Sequence, residues 1–296
     1  MRNFVIMPNA YKDPDYTVTR RVIKELMRLG GRIFLSNDLR GKVYLRDIHY
    51  YSGEIPDEVE MILVIGGDGS VLDAAVYAIG ADLPLLGINL GRLGYLAEMD
   101  LDDTSELSRL ISGDYEIREH ITFSVSLVRE GEEMHLVRQA VNDVVISQGT
   151  GDGLSEILVD DGVGNQLSYL ADGVIVATPL GSTAYSLSAG GPVIDASLHA
   201  ICVTPICAHS LFSRSVLFPV DYTITLKNCS AREGMMRLSV DGGDSYTLAP
   251  GEYACVRRST KTLRMVTLKK QSALGVLGRK MQLLNPRHER SGEDEK

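Results

Sequence analysis

Apolar and polar positions fall into two regimes along the chain. NFVIMPN (3–9) opens as a short apolar strand ending in Pro-Asn. In DYTVTRRVIKELMRLGG, Val18, Val22, Leu26 and Leu29 recur at helical spacing, and Gly30-Gly31 supply the stop. GRIFLS is the next strand. EMILVIGG is a continuous β-rich run, the pattern of a strand covered on both faces. SVLDAAVYAIG follows as a small-residue helix, PLLGINLG as another buried strand, and DDTSELSRLISG as a capped helix. Strands that alternate with helices imply parallel pairing in an open α/β sheet.

Near residue 118 the period changes. HITFSVSLVREGEEMHLVRQAVNDVVIS is strand-like with an EGEE turn. SEILVDDGVGNQLSYLADGVIVATP reads as strand, Asp/Gly hairpin, strand. DYTITLKN, MMRLSVDGGDSYTL, EYACVRRS and TLRMVTLK continue as short strands. The expectation is an α/β domain over 1–117 and a β-rich domain over 118–269. A weakly helical segment, 270–287, is expected to pack back on the first domain, and the charged end, 288–296, to be a disordered tail.

Composition agrees with this division. A chain of 296 residues suggests about two domains, and 44% hydrophobic residues suffice for their cores. The net charge of −9 argues against nucleic-acid binding by charge, but not against anions held by local dipoles and a few cations. No apolar run approaches the ~18–20 residues of a membrane span, and MRNFVIMPNAYKD is too short and too soon polar for a signal peptide. No membrane association and a cytoplasmic location are therefore expected. Cys202, Cys207, Cys229 and Cys255 form no CxxC pair and read as reduced thiols rather than metal ligands.

The candidate chemistry starts in VIGGDGSVLDAA (64–75). A strand, a glycine turn and a helix aim backbone N–H groups and a positive helix end at one spot, and glycines let phosphate approach. The turn has neither GxxxxGK[ST] with its lysine nor a Rossmann GxGxxG. Asp68 is thus unusual, since a carboxylate beside phosphate is electrostatically costly. It either takes a proton from an attacking hydroxyl, helps hold Mg²⁺, or caps the helix. A second cluster, ADGVIVATPLGSTAYSLSAGGP (171–192), sets Ser182, Thr183, Tyr185, Ser186 and Ser188 between glycines. It reads either as a polar-ligand site with Tyr185 as a stacking face, or as a Ser-rich loop. Asn142-Asp143 suits the two hydroxyls of a ribose, or forms an Asx turn.

GGDGS (66–70), GINLGRLGYL (87–96), ND (142–143), DGVIVATPLGSTAYSLSAGGP (172–192) and TPICAHSL (204–211) occur in this order. Together they resemble the NAD kinase family over roughly residues 60–220. The long ATPLGSTAYSLSAGGP run is the specific part; GGDG is shared with diacylglycerol-kinase-like enzymes. The resemblance implies an α/β domain, a β-rich domain, a nucleotide site between them, NAD as acceptor, ATP (or another nucleoside triphosphate, or polyphosphate) as donor, a divalent cation (Mg²⁺) carried by ATP with no protein ligand assigned, and a homodimer or homotetramer. It implies that Asp68 accepts the proton of the adenosine ribose 2′-hydroxyl as that oxygen attacks the terminal phosphorus. It implies that Gly66, Gly67 and Gly69 form the phosphate turn. Gly67, Asp68, Gly69, Asn142, Asp143, Asp172, Thr183, Ala184, Tyr185 and Ser188 would contact NAD. His209 and Arg118 are two further candidates, with a buried hydrogen-bonding histidine and a solvated arginine as the plain alternatives. The chain has GGDGS for the usual GGDGT and Asn-Asp for the usual Asn-Glu, and VDGGDS (240–245) stands where many members carry a DGQ-like element, with no role assigned. The rival readings are a lipid kinase, which lacks support from any basic amphipathic helix, and a non-catalytic NAD(P)-binding module.

Overall fold

The structure, a computed structural model, describes residues 2–91, 94–100, 104–129, 135–149, 155–209, 213–230, 234–243, 245–268, 275 and 278. The chain splits into two compact units, one of residues 1–119 with the described residues from Leu263 on, the other His120–Thr262. Of the predicted returning segment 270–287 only Gly275 and Gly278 are described; the remainder, the expected tail and the EGEE turn lie outside the described residues.

The first unit alternates strands and helices: β1 (Asn3–Pro8), α1 (Thr17–Arg28), β2 (Arg32–Ser36), β3 (His49–Tyr51), β4 (Met61–Gly66), α2 (Asp68–Ala81), β5 (Leu85–Asn89), β6 (Met99–Asp100) and α3 (Leu107–Ser112). The strands lie in the order β3, β2, β1, β4, β5, and all pairs are parallel. All six residues of β4 are buried, as its unbroken apolar run demands. Helix α1 buries Val22, Ile23 and Leu26, with Val18 and Leu29 packed at the margin of the same core. Each such side chain contributes roughly 1.5–3 kcal/mol. Helix α3 is shorter than its pattern predicted. Thr104–Glu106 forms a 3-10 turn instead, and no side chain caps the helix that follows. The register Pro8↔Ile65 and Gly66↔Asn89 brings the ends of β1, β4 and β5 level. The loops after these strands therefore share the carboxyl edge of a parallel sheet, where such sheets bind ligands.

The second unit is antiparallel in the strand pairs with a described register. It contains β7 (Glu116–Val128, from His120 on), β8 (His135–Ala140), β9 (Asp143–Gln148), β10 (Ser155–Asp160), β11 (Gln166–Ala171), β12 (Gly173–Ala177), the single-turn α4 (Tyr185–Ser188), β13 (Ala200–Ile206), β14 (Val216–Pro219), β15 (Ile224–Asn228), β16 (Met236–Val240), β17 (Ser245–Leu248) and β18 (Tyr253–Thr267, to Thr262 in this unit). One sheet runs β14-β13-β12-β9-β16-β17; β11-β10-β15-β18 with β7 and β8 form the other. Phe123, Ile157, Tyr169 and Leu226 from one sheet meet Ile146, Val174, Val176, Val203 and Leu238 from the other in one core. The single strand predicted over QLSYLADGVIVATP is in fact two. β11 is buried on one face and belongs to the sheet with β10, β15 and β18, whereas the wholly buried β12 starts at Gly173 in the sheet with β13 and β9. Ile175 and Ala177 face outward from the main core and are covered by Ile194 and Ala189.

Candidate functional site

In the first unit the glycine turn is assembled from three loops, those after β1, β4 and β5. Gly67 precedes α2 and no side chain caps that helix, so the reading of Asp68 as its cap does not hold. Asp68 is the first helical residue, and its carboxylate reaches to the chain after β5. There Oδ2 accepts from the Tyr95 N–H (2.8 Å) and Oδ1 from the Leu96 N–H (3.0 Å). Two amides thus fix the orientation of a half-buried carboxylate, and each oxygen keeps a lone pair for a further donor. Burial and the Asp68 charge together push the Tyr95 hydroxyl above its ordinary range. Gly94 makes this approach possible, because a Cβ there would overlap the Asp68 carboxylate.

The turn also has a cation that its own sequence lacks. Lys12, in the loop after β1, lays its ammonium over Gly67, where a Cβ would strike Nζ, and Nζ donates to the Leu90 carbonyl at 3.4 Å. That loop is fastened to α2. Asn9 donates through Nδ2 to Ser70 Oγ (2.7 Å), and its Oδ1 accepts from the Tyr11 and Lys12 amides. Gly66 lies against Ser70, while Gly69 faces open space. Of the sequence candidates, Gly66, Gly67, Asp68 and Gly69 share this corner; Lys12 and Gly94 were missed. The signal for Lys12 was its place in a loop leaving the carboxyl end of a strand adjacent to β4. Arg118 lies half-buried on β7, in the same unit.

In the second unit Gly181 and Tyr185 meet Asn142-Asp143, and Thr183, Ala184 and Ser188 lie on the same 3-10 turn and single-turn helix as these two. Asn142-Asp143 enters β9 opposite Ala177. Thr178 clamps the turn before it, with Oγ1–H on Val141 O (2.7 Å) and its amide on Asn142 O (2.9 Å). Gly181 lies so close to the Asn142 backbone that any Cβ would collide with it. The Asp241 carboxylate accepts from the amides of Val141 (2.8 Å), Asn142 (2.7 Å) and Asp143 (3.1 Å). Asn142 is 8% exposed, and its buried Oδ1 has no hydrogen-bond partner. This excludes an Asx turn, which would use that oxygen, and leaves an acceptor that a ligand hydroxyl would satisfy. The Asp143 carboxyl accepts from the Tyr185 N–H. Burial first, then the Asp241 charge, outweigh that bond and push Asp143 up to about 7.

The hydroxyl cluster divides into two sets. Ser182 is internal, bonding Pro179 O and receiving the Ile194 N–H, and Ser186 bonds Thr204. Thr183 is half-buried with Oγ1 on Leu180 O (3.3 Å), while Tyr185 (47% exposed) and Ser188 open to solvent. Asp172 lies apart, at the far end of β12. Its backbone is tied to Gln148 and Ile206, and β12 separates it from Thr178 by about 16–20 Å at ~3.3 Å per residue. The exposed His209 has its amide on Leu170 O and is not the buried histidine of the alternative reading.

A glycine-lined helix start bearing a carboxylate and a lysine, followed by a β unit with an orphaned amide acceptor beside a carboxyl, defines a two-unit nucleotide-handling protein. Family models for the ATP-NAD kinase N-terminal domain and the ATP-NAD kinase C-terminal domain match residues 4–115 and 141–268. The NAD kinase of Symbiobacterium thermophilum is 35% identical over 282 residues, 95% of this chain and 99% of that protein. Among solved structures, the yeast NADH kinase complexed with NADH superposes with a TM-score of 0.80 at 24% identity, covering 100% of this chain and 90% of that one. An NAD kinase from Archaeoglobus fulgidus in complex with ATP gives 0.66 at 21% identity, covering 92% and 94%. The chain belongs to the ATP-NAD kinase family. Among the described residues no helix is long and apolar enough to cross a membrane.

Proposed function

We propose that this protein transfers the terminal phosphate of ATP to the 2′-hydroxyl of the adenosine ribose of NAD, giving NADP and ADP. The observation that carries the assignment of roles is the Asp68 carboxylate, held by two amides at the glycine turn with lone pairs to spare. The ribose 2′-oxygen forms a bond to the γ-phosphorus, the bond to the ADP oxygen breaks, and the hydroxyl proton passes to Asp68. A positioned base of this kind is worth roughly 10²–10⁴ in rate. The amides at the start of α2 and the Lys12 ammonium face the phosphates, and Gly66, Gly67 and Gly69 leave them room. Asn142 and Asp143 accept from the ribose hydroxyls, Tyr185 stacks on a base, and Thr183, Ala184 and Ser188 line the nucleoside positions, whereas Asp172, at the far end of β12, stands outside this group. His209 and Arg118 stand at the margin of this assignment. An existing 2′-phosphate would meet the Asp68 charge, which favours NAD over NADP as acceptor.

Divalent-cation dependence belongs to the same proposal. Mg²⁺ takes oxygen donors and keeps several waters, and the triphosphate supplies donors of that kind, so the ion would be carried by ATP. When bound it neutralises charge on the phosphates. A reducing, cytoplasmic setting is supported by four cysteines free of disulfides. Self-association into a homodimer or homotetramer is supported by exposed Leu167 and Leu170 on the edge strand β11, and light scattering tests it. The function is tested by supplying NAD, ATP and Mg²⁺ and measuring NADP with an NADP-specific dehydrogenase. Formation of NADP, abolished in Asp68→Asn with NAD binding retained, is expected. Binding without turnover, or phosphorylation of lipid instead, overturns the proposal.

A further inference from the structure

We propose that Asp241 is the positioning residue that sets Asn142 and Asp143 for the ribose and, through its charge, sets the pH at which they grip it. The inference rests on the assignment of that pair to NAD. Asp241 and Gly242 both have positive φ (52° and 68°) in a turn closed by the Gly243 N–H on Val240 O, which is the hairpin geometry that Asp-Gly favours. As a turn residue alone, Asp241 would need no side-chain partner. Its carboxylate instead takes three consecutive amides nearly a hundred positions earlier, Val141, Asn142 and Asp143, and its own N–H donates to Asp143 O (2.9 Å). Four hydrogen bonds therefore fix the backbone from which both ligand-facing side chains spring. With these amides engaged, Asn142 Oδ1 stays buried and unpartnered.

The charge acts on Asp143. The groups that face Asp143 are Asp241, from the β16–β17 turn, and the Tyr185 N–H, from the start of α4. Burial pushes the Asp241 carboxyl above its ordinary range, opposed by the Val141, Asn142 and Asp143 amides and then by the charge of Arg138 on β8, which favour its ionised form. Only ionised Asp143 accepts hydrogen bonds from ribose through both oxygens. NAD binding therefore strengthens as pH rises through about 7, where Asp143 loses its proton. An uncharged residue at 241 moves that limb to lower pH.

The test is calorimetric titration of the full chain with NAD at pH values either side of neutrality, alongside the KM for ATP. Asp241→Asn keeps the size, removes the charge and turns an amide toward the Val141 N–H. It is expected to weaken NAD binding by about tenfold, leave the ATP KM within about twofold, and shift the acid limb downward. Thr178→Val loosens the same turn without changing charge, and is expected to weaken binding with the limb unmoved. Unchanged NAD binding in Asp241→Asn, or a limb that stays in place, overturns the proposal. In the wild-type protein, the amide resonances of Val141, Asn142 and Asp143 should move together as one carboxyl titrates. Independent movement overturns the proposal even if the variant does not fold. Asn142→Ala separates the two readings: if it binds NAD normally, the ribose assignment itself fails; if it binds weakly while Asp241→Asn binds normally, only the positioning role fails.

Discussion

Replacing Gly94 with alanine adds one methyl group to a position that the reaction does not touch directly, yet it should cripple turnover. The Gly94 backbone is not left-handed, so alanine is locally acceptable there. By restricting the unfolded chain it would stabilise by about 0.4–1 kcal/mol if space allowed. Space does not allow it: the added Cβ would overlap Asp68 Oδ1 and lie 2.8 Å from Oδ2, against about 3.5–4.0 Å for a comfortable contact. The carboxylate must swing away and lose the bonds from Tyr95 and Leu96 (2.8 and 3.0 Å), each worth about 1.5–3 kcal/mol as a charged hydrogen bond. A shift of about 1 Å in a reacting group costs on the order of 10²-fold. The expected result is a kcat about a hundredfold below wild type with NAD binding within a few-fold, measured by the NADP-specific coupled assay and by calorimetry. Gly94→Ala with kcat within about twofold of wild type would refute the idea that these two amides set the Asp68 geometry.

Other outcomes follow from the same structure. Lys12→Met should raise the KM for ATP about tenfold while leaving NAD binding alone, as read by steady-state kinetics with each substrate varied. Gly69→Ala places its Cβ in open space within α2. It should raise the melting temperature by the helix preference of alanine, about 1 kcal/mol, while weakening ATP binding, by calorimetry and kinetics. Asp143, pushed up to about 7 by burial and by Asp241, keeps its proton in the folded state where an unfolded Asp, near 3.8, has lost it. Stability should therefore fall as pH rises from about 4 to about 7, by at most a few kcal/mol. Urea titrations should show Asp143→Asn losing that slope.

Much of this architecture was legible because it rests on local pattern. The unbroken MILVIG run, the spacing of Val22 and Leu26, and the hydroxyl-rich stretch after β12 each announce an element within a few residues. The change of sheet at Asp172 was not legible. One-faced QLSYLA and two-faced GVIVA run together in sequence and separate only when each finds its own partner strand. The supporting residues were hidden for a related reason. Lys12 meets Gly67, Gly94 meets Asp68, and Asp241 meets Asn142, all by tertiary approach between positions far apart in the chain. Spacing within a motif holds no record of such meetings. Ser182 and Ser186, by contrast, look identical in sequence to ligand-binding hydroxyls, and only their internal bonds show that they hold the loop together.

The most direct check on the central claim is a crystal structure with NAD and a non-hydrolysable ATP analogue bound together. The adenosine ribose 2′-oxygen should lie within hydrogen-bond reach of the Asp68 carboxylate, about 2.6–3.2 Å, with the γ-phosphate analogue in line beyond it. A 2′-oxygen well outside that reach, facing a different base, would contradict the assignment of proton transfer to Asp68.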